Sequence, residues 1–220
     1  KSFEHGRNKG VYWDNWFIRP SYNVFMTDAY VDADGKIVPA AGIWGLRSLI
    51  KRTFVMMNEL DMIPITMPHM TSTNILPMMS FATVQYDWEW KYSTGDVQYR
   101  HTRAYTTLAS NGELAGVWPV MLGEHGKQKS DQWVQRTFAG VCMVHELISG
   151  GPGKVWKTLY QPLMDYMDDP NVKVYRYWDE GKKPVSINNP DLAWILYVIP
   201  GQKAALVLCS YSEQTIDAAI

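Results

Sequence analysis

Two carboxylates and two indoles alternate at the end of a short predicted strand, in the segment Thr83-Val-Gln-Tyr-Asp-Trp-Glu-Trp90. Side chains on a strand alternate between its faces, so Asp87 and Glu89 point one way and Trp88 and Trp90 the other. Residues i and i+2 lie about 6.6 Å apart along a strand, so each carboxylate influences the protonation of the other. This pattern is typical of acid–base chemistry, although the same residues on a solvated strand end would have no chemical role.

A further acid, Asp14, directly follows a short apolar strand that begins at Gly10, and Trp13 and Trp16 lie beside it in the sequence. An acid at a strand end is either a catalytic group or the cap of the following loop. His69 stands at the end of the next predicted strand of this kind. A lone histidine is usually a satisfied core or loop residue, so its role stays open.

The alternation of short apolar strands with helices predicts a parallel α/β sheet. We predict a hairpin at residues 29–38, helices at 42–60 and about 96–114, strands at 62–67, 83–90 and 116–122, and a helix from 130 or 131 to Gly150-Gly151. The polar residues follow the strands: Asp14 with Asn15, His69, Asp87 with Glu89, and Glu124 with His125. In a β/α barrel these strand-end loops form the active site.

Only four strands of this type are found, whereas a closed barrel has eight. The predicted fold is therefore α/β, the C-terminal half of a (β/α)8 TIM-type barrel over residues 1–170. Residues 171–178, 192–198 and 204–210 read as strands without intervening helices, which predicts the start of an antiparallel β module over 171–220. We expect the chain to be a fragment of a larger protein. The remaining N-terminal part of that protein, or a partner chain, would complete the barrel.

Composition narrows the classes of function. The 220 residues are 46 % hydrophobic and 20 % charged, as in globular proteins, and the formal net charge is −1. No cluster of Lys and Arg indicates a nucleic-acid partner, and no apolar run reaches the 18 or so residues of a membrane span. Cys142 and Cys209 lie in apolar segments and read as buried thiols. No ligand spacing is specific for a metal, and no cofactor is predicted.

Several segments together resemble bacterial glycoside-hydrolase-like proteins distantly related to glycoside hydrolase family 123. They are Gly10-Val-Tyr-Trp-Asp-Asn, Pro20-Ser-Tyr-Asn23, His69-Met-Thr-Ser-Thr-Asn74 and Asp87-Trp-Glu-Trp-Lys91, within residues 10–150, and residues 204–215 are similar to the β-sandwich that follows many such barrels. The resemblance implies a barrel followed by a β-sandwich, a carbohydrate substrate, and a periplasmic or extracellular location.

Family 123 resemblance would also imply substrate-assisted hydrolysis by an adjacent Asp-Glu pair. Here the pair Asp179-Glu180 lies near the start of the predicted β module rather than after a barrel-type strand, and Asp87-x-Glu89 is a different motif. The mechanism of the family therefore does not transfer to particular residues of this chain.

The sequence predicts a glycoside hydrolase that acts on a poly- or oligosaccharide by carboxylate chemistry. The expected catalytic set is Asp14, Asp87 and Glu89. The expected substrate-binding residues are Trp13, Asn15, Trp16, Tyr22, His69, Asn74, Trp88, Trp90 and His125. The alternative is a non-catalytic carbohydrate-binding or scaffold protein that retains an aromatic cleft.

Overall fold

The structure is a computed structural model that describes residues 9–69, 75–86, 101–110, 116–121, 132–149, 153–212 and 214–220. The chain divides into two compact units. The first comprises Lys1–Trp88 and Asn111–Pro119, and the second comprises Glu89–Ser110 and Val120–Ile220. This division does not coincide with the boundary at residue 170 that the sequence predicts.

The first unit combines short strands with one long helix. Its elements in chain order are β1 (Val11–Trp13), β2 (Tyr30–Val31), β3 (Ile37–Val38), α1 (Ile43–Glu59), β4 (Thr66–Pro68), α2 (Leu76–Met79) and β5 (Val84–Tyr86). The strand predicted at residues 62–67 thus lies slightly later in the chain, as β4. Of the strand predicted at 83–90, residues 87–90 lie outside the described residues.

The strands β1 and β4 are parallel and pair with Val11 opposite Thr66 and Trp13 opposite Pro68. β5 lies alongside β4, joined to it by a parallel bridge between His69 and Tyr86. β1, β4 and β5 therefore end at the same edge, as the alternation of strands and helices predicts. We call it the strand-end edge.

Gly10 allows β1 to approach β4 closely. A Cβ atom added at this position would lie 2.9 Å from both the Cβ and the carbonyl oxygen of Ile65. Real Cβ atoms do not approach backbone this closely, so glycine is required for the two strands to start side by side.

Helix α1 confirms the helix predicted at residues 42–60. It begins after Gly42, whose φ of 67° lies in the left-handed region. Ile50, Thr53 and Met57 recur at helical spacing and form its buried face. The hydrophobic core of the first unit is formed by Trp16, Ile50, Met78, Met79, Ala82 and Val117.

The hairpin predicted at residues 29–38 is also confirmed, with Tyr30 paired to Val38 in antiparallel register. The Asp32 carboxylate accepts hydrogen bonds from the backbone N–H groups of Asp34 and Lys36 at 3.0 and 2.8 Å. Gly35 has a φ of 78°, as the tight turn requires.

The second unit contains helices packed against an antiparallel sheet. Its first element is the helix α3 (Arg103–Ser110), which lies within the predicted helix 96–114. The strand β6 (Trp118–Met121) follows, and the division between the units falls within it. The later elements are α4 (Gln132–Val144), β7 (Ile148–Ser149), α5 (Gly153–Met167), β8 (Lys173–Arg176), β9 (Leu192–Ile199) and β10 (Lys203–Ser210).

The three C-terminal strands form the antiparallel sheet that the sequence predicts, in the order β10-β9-β8. Their buried side chains pack with those of α4 and α5 in one core. This shared core consists of Met121, Phe138, Val141, Cys142, Met143, Val144, Leu147, Leu163, Ala193, Ile195, Tyr197 and Cys209. Both cysteines are buried and neither forms a disulfide with the other, as predicted.

The prediction that one helix extends to Gly150-Gly151 is wrong. Helix α4 ends at Val144, and Glu146 adopts a left-handed φ of 55° just beyond it. Ile148 then pairs in parallel with Val120 as part of β7, an additional strand that the sequence reading missed. Apolar residues continue at helical spacing across the end of α4, so periodicity alone does not reveal where the helix stops.

Among the described residues, no helix combines the length and apolar character needed to cross a membrane.

Candidate functional site

The predicted residues Asp14 and His69 lie side by side at the strand-end edge. The N–H of His69 donates to the carbonyl of Trp13, and the N–H of Trp16 donates to the carbonyl of His69, both at 2.8 Å. These two hydrogen bonds continue the parallel pairing of β1 and β4 past the last paired residues. They fix the position of Asp14, which lies between the two residues that contact His69.

The carboxylate oxygen Oδ1 of Asp14 lies 4.0 Å from Nε2 of His69. The environments of the two groups differ strongly: the His69 side chain is 2 % exposed, whereas that of Asp14 is 56 % exposed. Asp14 accepts a hydrogen bond from the N–H of Asn15 at 2.8 Å, which orients its carboxylate.

Two tyrosine rings flank the imidazole of His69. The Tyr12 ring stacks on it with centroids 5.5 Å apart and an interplanar angle of 30°. The Tyr86 ring lies with its centroid 4.7 Å from the imidazole centroid. Tyr12 is 48 % exposed, so one flat aromatic surface beside Asp14 faces solvent. Tyr12, Asp14, His69 and Tyr86 together are called the strand-end cluster.

The alternation of side chains along β1 explains this arrangement. Tyr12 and Asp14 are two residues apart, lie on one face of the strand and are exposed, whereas Trp13 lies on the other face and is half-buried. The same alternation shows why Tyr12 belongs to the site although the sequence reading did not select it. Tyr86 was missed as well, although it immediately precedes Asp87 in the segment that suggested chemistry.

Trp16 lies in the core of the first unit, and the half-buried Trp13 packs against that core. Their rings lie 5.7 Å apart, and Trp16 is only 3 % exposed, within the core cluster of the first unit. A ligand has no access to the Trp16 ring, in contrast to its predicted role as sugar-binding surface. Among the described residues, neither buried indole Nε1–H has a hydrogen-bond acceptor.

Other residues of the predicted site are exposed or lie outside the described part of the chain. Asn15 has a left-handed φ of 58° and accepts a hydrogen bond from Arg19 at 3.2 Å. Tyr22 is 59 % exposed in the loop that follows. The predicted residues outside the described ranges are Asn74, Asp87, Trp88, Glu89, Trp90 and His125.

A second histidine with polar contacts, His145, lies in the other unit. Its Nδ1 is 2.8 Å from the carbonyl oxygen of Val141, and its Nε2 is 2.8 Å from the hydroxyl of Tyr177. Trp178 stacks on the imidazole at 5.3 Å with an interplanar angle of 10°. Burial is the main cause that lowers the pKa of His145 to about 4, and the positive charge of Arg103 lowers it further. The hydrogen bond to the carbonyl of Val141 raises this pKa but does not outweigh burial. A ring enclosed on all these sides is a structural group.

Within the described part of the chain, no cluster of three or more His, Cys, Asp or Glu side chains is arranged to hold a metal ion.

Comparison with protein-family models, with curated proteins and with solved structures gave no match for this chain.

Proposed function

We propose that this chain binds a carbohydrate at the strand-end cluster and hydrolyses a glycosidic bond there. The observation that carries the proposal is the pairing of the exposed Asp14 carboxylate with the buried His69 imidazole, 4.0 Å apart at the carboxyl ends of parallel strands. This is the edge at which β/α folds form their active sites.

The strand-end cluster has the chemistry that recognises a sugar ring. A pyranose presents hydroxyl groups at its edge and C–H groups on its face. The half-exposed ring of Tyr12 offers a flat apolar surface, and the Asp14 carboxylate beside it accepts hydrogen bonds from hydroxyl groups.

Hydrolysis requires a second carboxyl group. One group, as an acid, donates its proton to the glycosidic oxygen while the bond from that oxygen to the anomeric carbon breaks. The other either removes a proton from the attacking water or attacks the anomeric carbon itself before water releases the sugar. Asp14 supplies one carboxyl group. Asp87 or Glu89 supplies the second, because Asp87 directly follows Tyr86, whose ring contacts His69.

The proposal extends to the fold. Parallel strands with a site at their carboxyl ends are what half of a β/α barrel contains, and we propose that further polypeptide completes such a barrel.

The test measures release of reducing sugar and of chromophore from a panel of oligosaccharides and aryl glycosides. We expect activity in the wild type and a loss of about 100-fold or more in Asp14→Asn and in Asp87→Asn or Glu89→Gln. Asp34→Asn is the matched control, because it makes the same chemical change in the exposed hairpin turn, where an Asn-Gly sequence is well tolerated. Equal losses in Asp34→Asn and Asp14→Asn would contradict a chemical role for Asp14.

One observation favours the alternative of a carbohydrate-binding protein without activity. Asp14 is 56 % exposed, and a solvated carboxylate accepts hydrogen bonds from sugar hydroxyls without any need for proton transfer. If the wild type binds an oligosaccharide, Asp14→Asn weakens that binding and no sugar is released, then binding replaces hydrolysis as the function. If no glycan on the panel binds or is cleaved, the proposal is wrong.

A further inference from the structure

A surface cavity of about 340 Å³ lies in the first unit, separate from the residues of the strand-end cluster. Its wall includes Met26 and Asp28 from the loop after β1, and Trp44, Gly45 and Ser48 from helix α1. The volume is within the lower part of the range of small-molecule sites, roughly 300–1,000 Å³. The cavity therefore has room for a small ligand or for one unit of a larger one.

The loop that forms one wall is held in shape by its own hydrogen bonds. Ser21 and Ala40 exchange two backbone hydrogen bonds of 2.9 and 3.0 Å, which close the loop at its base. The side chain of Asn23 accepts from the N–H groups of Phe25 and Met26 at 3.0 and 3.1 Å. The polypeptide thus fixes Met26 in a position where its side chain is 81 % exposed.

The other wall contains a glycine that packing does not explain. Gly45 lies inside α1, where glycine destabilises a helix relative to alanine. A Cβ atom added there would meet nothing within 4 Å, so no neighbour in the described structure requires its absence. Its effect is to leave the wall open next to Trp44, whose side chain is 62 % exposed.

The polar groups of the cavity distinguish between classes of ligand. In the described part of the structure, neither the side chain of Asp28 nor that of Ser48 forms a hydrogen bond, so both can bond to a ligand. The carboxylate of Asp28 repels anionic ligands, and a wholly apolar ligand would desolvate it without replacing its hydrogen bonds with water. A pyranose satisfies both requirements, since its C–H face packs on an indole while its hydroxyl groups donate to a carboxylate.

We propose that this cavity is a second carbohydrate-binding site, in which Trp44 packs on a sugar ring and Asp28 and Ser48 hydrogen-bond to its hydroxyl groups. The inference rests on the proposed function for one point, that the ligand is a carbohydrate. Among the described residues that line the cavity, Asp28 is the one acid, so the role proposed for it is binding. It binds either a different unit of the glycan held at the strand-end cluster or a separate glycan chain.

The test uses the Asp14→Asn protein, in which turnover is removed, titrated with the oligosaccharides of the activity panel. Binding is followed by the indole ¹H–¹⁵N signals, and the Trp44 signal is assigned by its loss in Trp44→Ala. We expect this signal to shift on titration. Asp28→Asn should weaken the binding that it reports by tenfold or more.

Gly45→Leu separates a binding role from a structural one. Leucine is a strong helix former and its side chain would fill the cavity, so we expect an unchanged or raised Tm together with loss of binding. Leu49→Ala is the control, since Leu49 is exposed on the same helix and does not line the cavity. It should leave binding unchanged.

The outcomes separate the two proposals. A Trp44 signal that stays unmoved while the strand-end cluster binds sugar, or full binding in Gly45→Leu, overturns the second site and leaves the proposed function intact. A shifting Trp44 signal in a protein whose wild type cleaves nothing supports the second site and counts against hydrolysis. Absence of binding by every oligosaccharide overturns both.

Discussion

The hydroxyl of Tyr177 donates a hydrogen bond to Nε2 of His145 at 2.8 Å. This direction follows from the other side of the ring, because a carbonyl oxygen only accepts and Nδ1 must therefore carry the hydrogen that bonds to Val141. Tyr177 in turn lies 3.2 Å from the hydroxyl of Thr107, which is placed to donate to it. The second unit thus holds a neutral imidazole, with both ring nitrogens occupied.

We expect this buried histidine to make the stability of the protein depend on pH. The pKa of His145 is about 4 in the folded chain and about 6.5 in the unfolded chain. The unfolded chain therefore gains a proton first as pH falls. The stabilisation is complete above pH 6.5, is lost progressively down to about pH 4, and amounts to about 3 kcal/mol as an upper limit. Urea unfolding at several pH values measures it.

His145→Gln is the comparison for this prediction. The difference between the unfolding free energies of wild type and variant should shrink as pH falls from 6.5 to 4. A constant difference across that range would show that His145 does not titrate there. Tyr177→Phe removes the hydroxyl that donates to the neutral imidazole, which makes the neutral form less stable. An NMR titration of this variant should therefore give a higher pKa for His145 than in the wild type.

Gly10 and Gly45 should respond in opposite ways to substitution by alanine, because their surroundings differ. Gly10→Ala places a Cβ atom 2.9 Å from the backbone of Ile65, and we expect it to lower the free energy of unfolding by about 1–3 kcal/mol. Gly45→Ala meets no atom within 4 Å inside a helix, and should raise it by about 0.5–1 kcal/mol. Chemical denaturation of both variants checks the pair of signs. A Gly10→Ala variant as stable as the wild type, or more stable, would contradict the close approach of the strands.

Trp16 and Trp44 of the first unit differ in burial, and their replacement by alanine should differ in its effect on stability. Trp16→Ala empties a core position that is 3 % exposed, and we expect a loss of about 3–5 kcal/mol of stability. Trp44→Ala changes a side chain that is 62 % exposed, so its effect should stay within about 0.5 kcal/mol. Thermal unfolding of the two variants provides the measurement. A small loss for Trp16→Ala would mean that its ring is not part of the core.

The elements that the sequence predicts well are those in which pattern and local chemistry agree. Helix α1 shows one apolar face, and the Asp34-Gly35 turn has a residue type suited to each position. The parallel edge that unites Asp14 with His69 follows from the alternation of strands and helices. The end of α4 was misplaced because apolar residues continue past it, and the turn at Glu146 carries no glycine or proline to mark it.

The roles of aromatic residues were the least predictable part of the site. Trp13 and Trp16 flank Asp14 in sequence, yet neither is exposed. Trp13 is half-buried because it lies on the other face of β1, and Trp16 is buried because it follows the turn at Asn15, where the alternation of the strand ends. Tyr12 occupies the exposed face of β1 instead. The cavity beside Trp44 forms where a loop lies next to a helix. Hydrophobic periodicity within each segment does not predict which segments meet, so the sequence did not indicate this cavity.

The paired hydrogen bonds between Ser21 and Ala40 make the intervening loop a self-contained insertion whose two ends stay together. We therefore expect changes of length or composition between these two residues to leave the end of β1 and the start of α1 in place. Substitutions in the loop wall around Met26 are then expected to leave the strand-end cluster unchanged. Exchanging this one segment would alter the wall of the cavity without rebuilding the strands that hold Asp14 and His69.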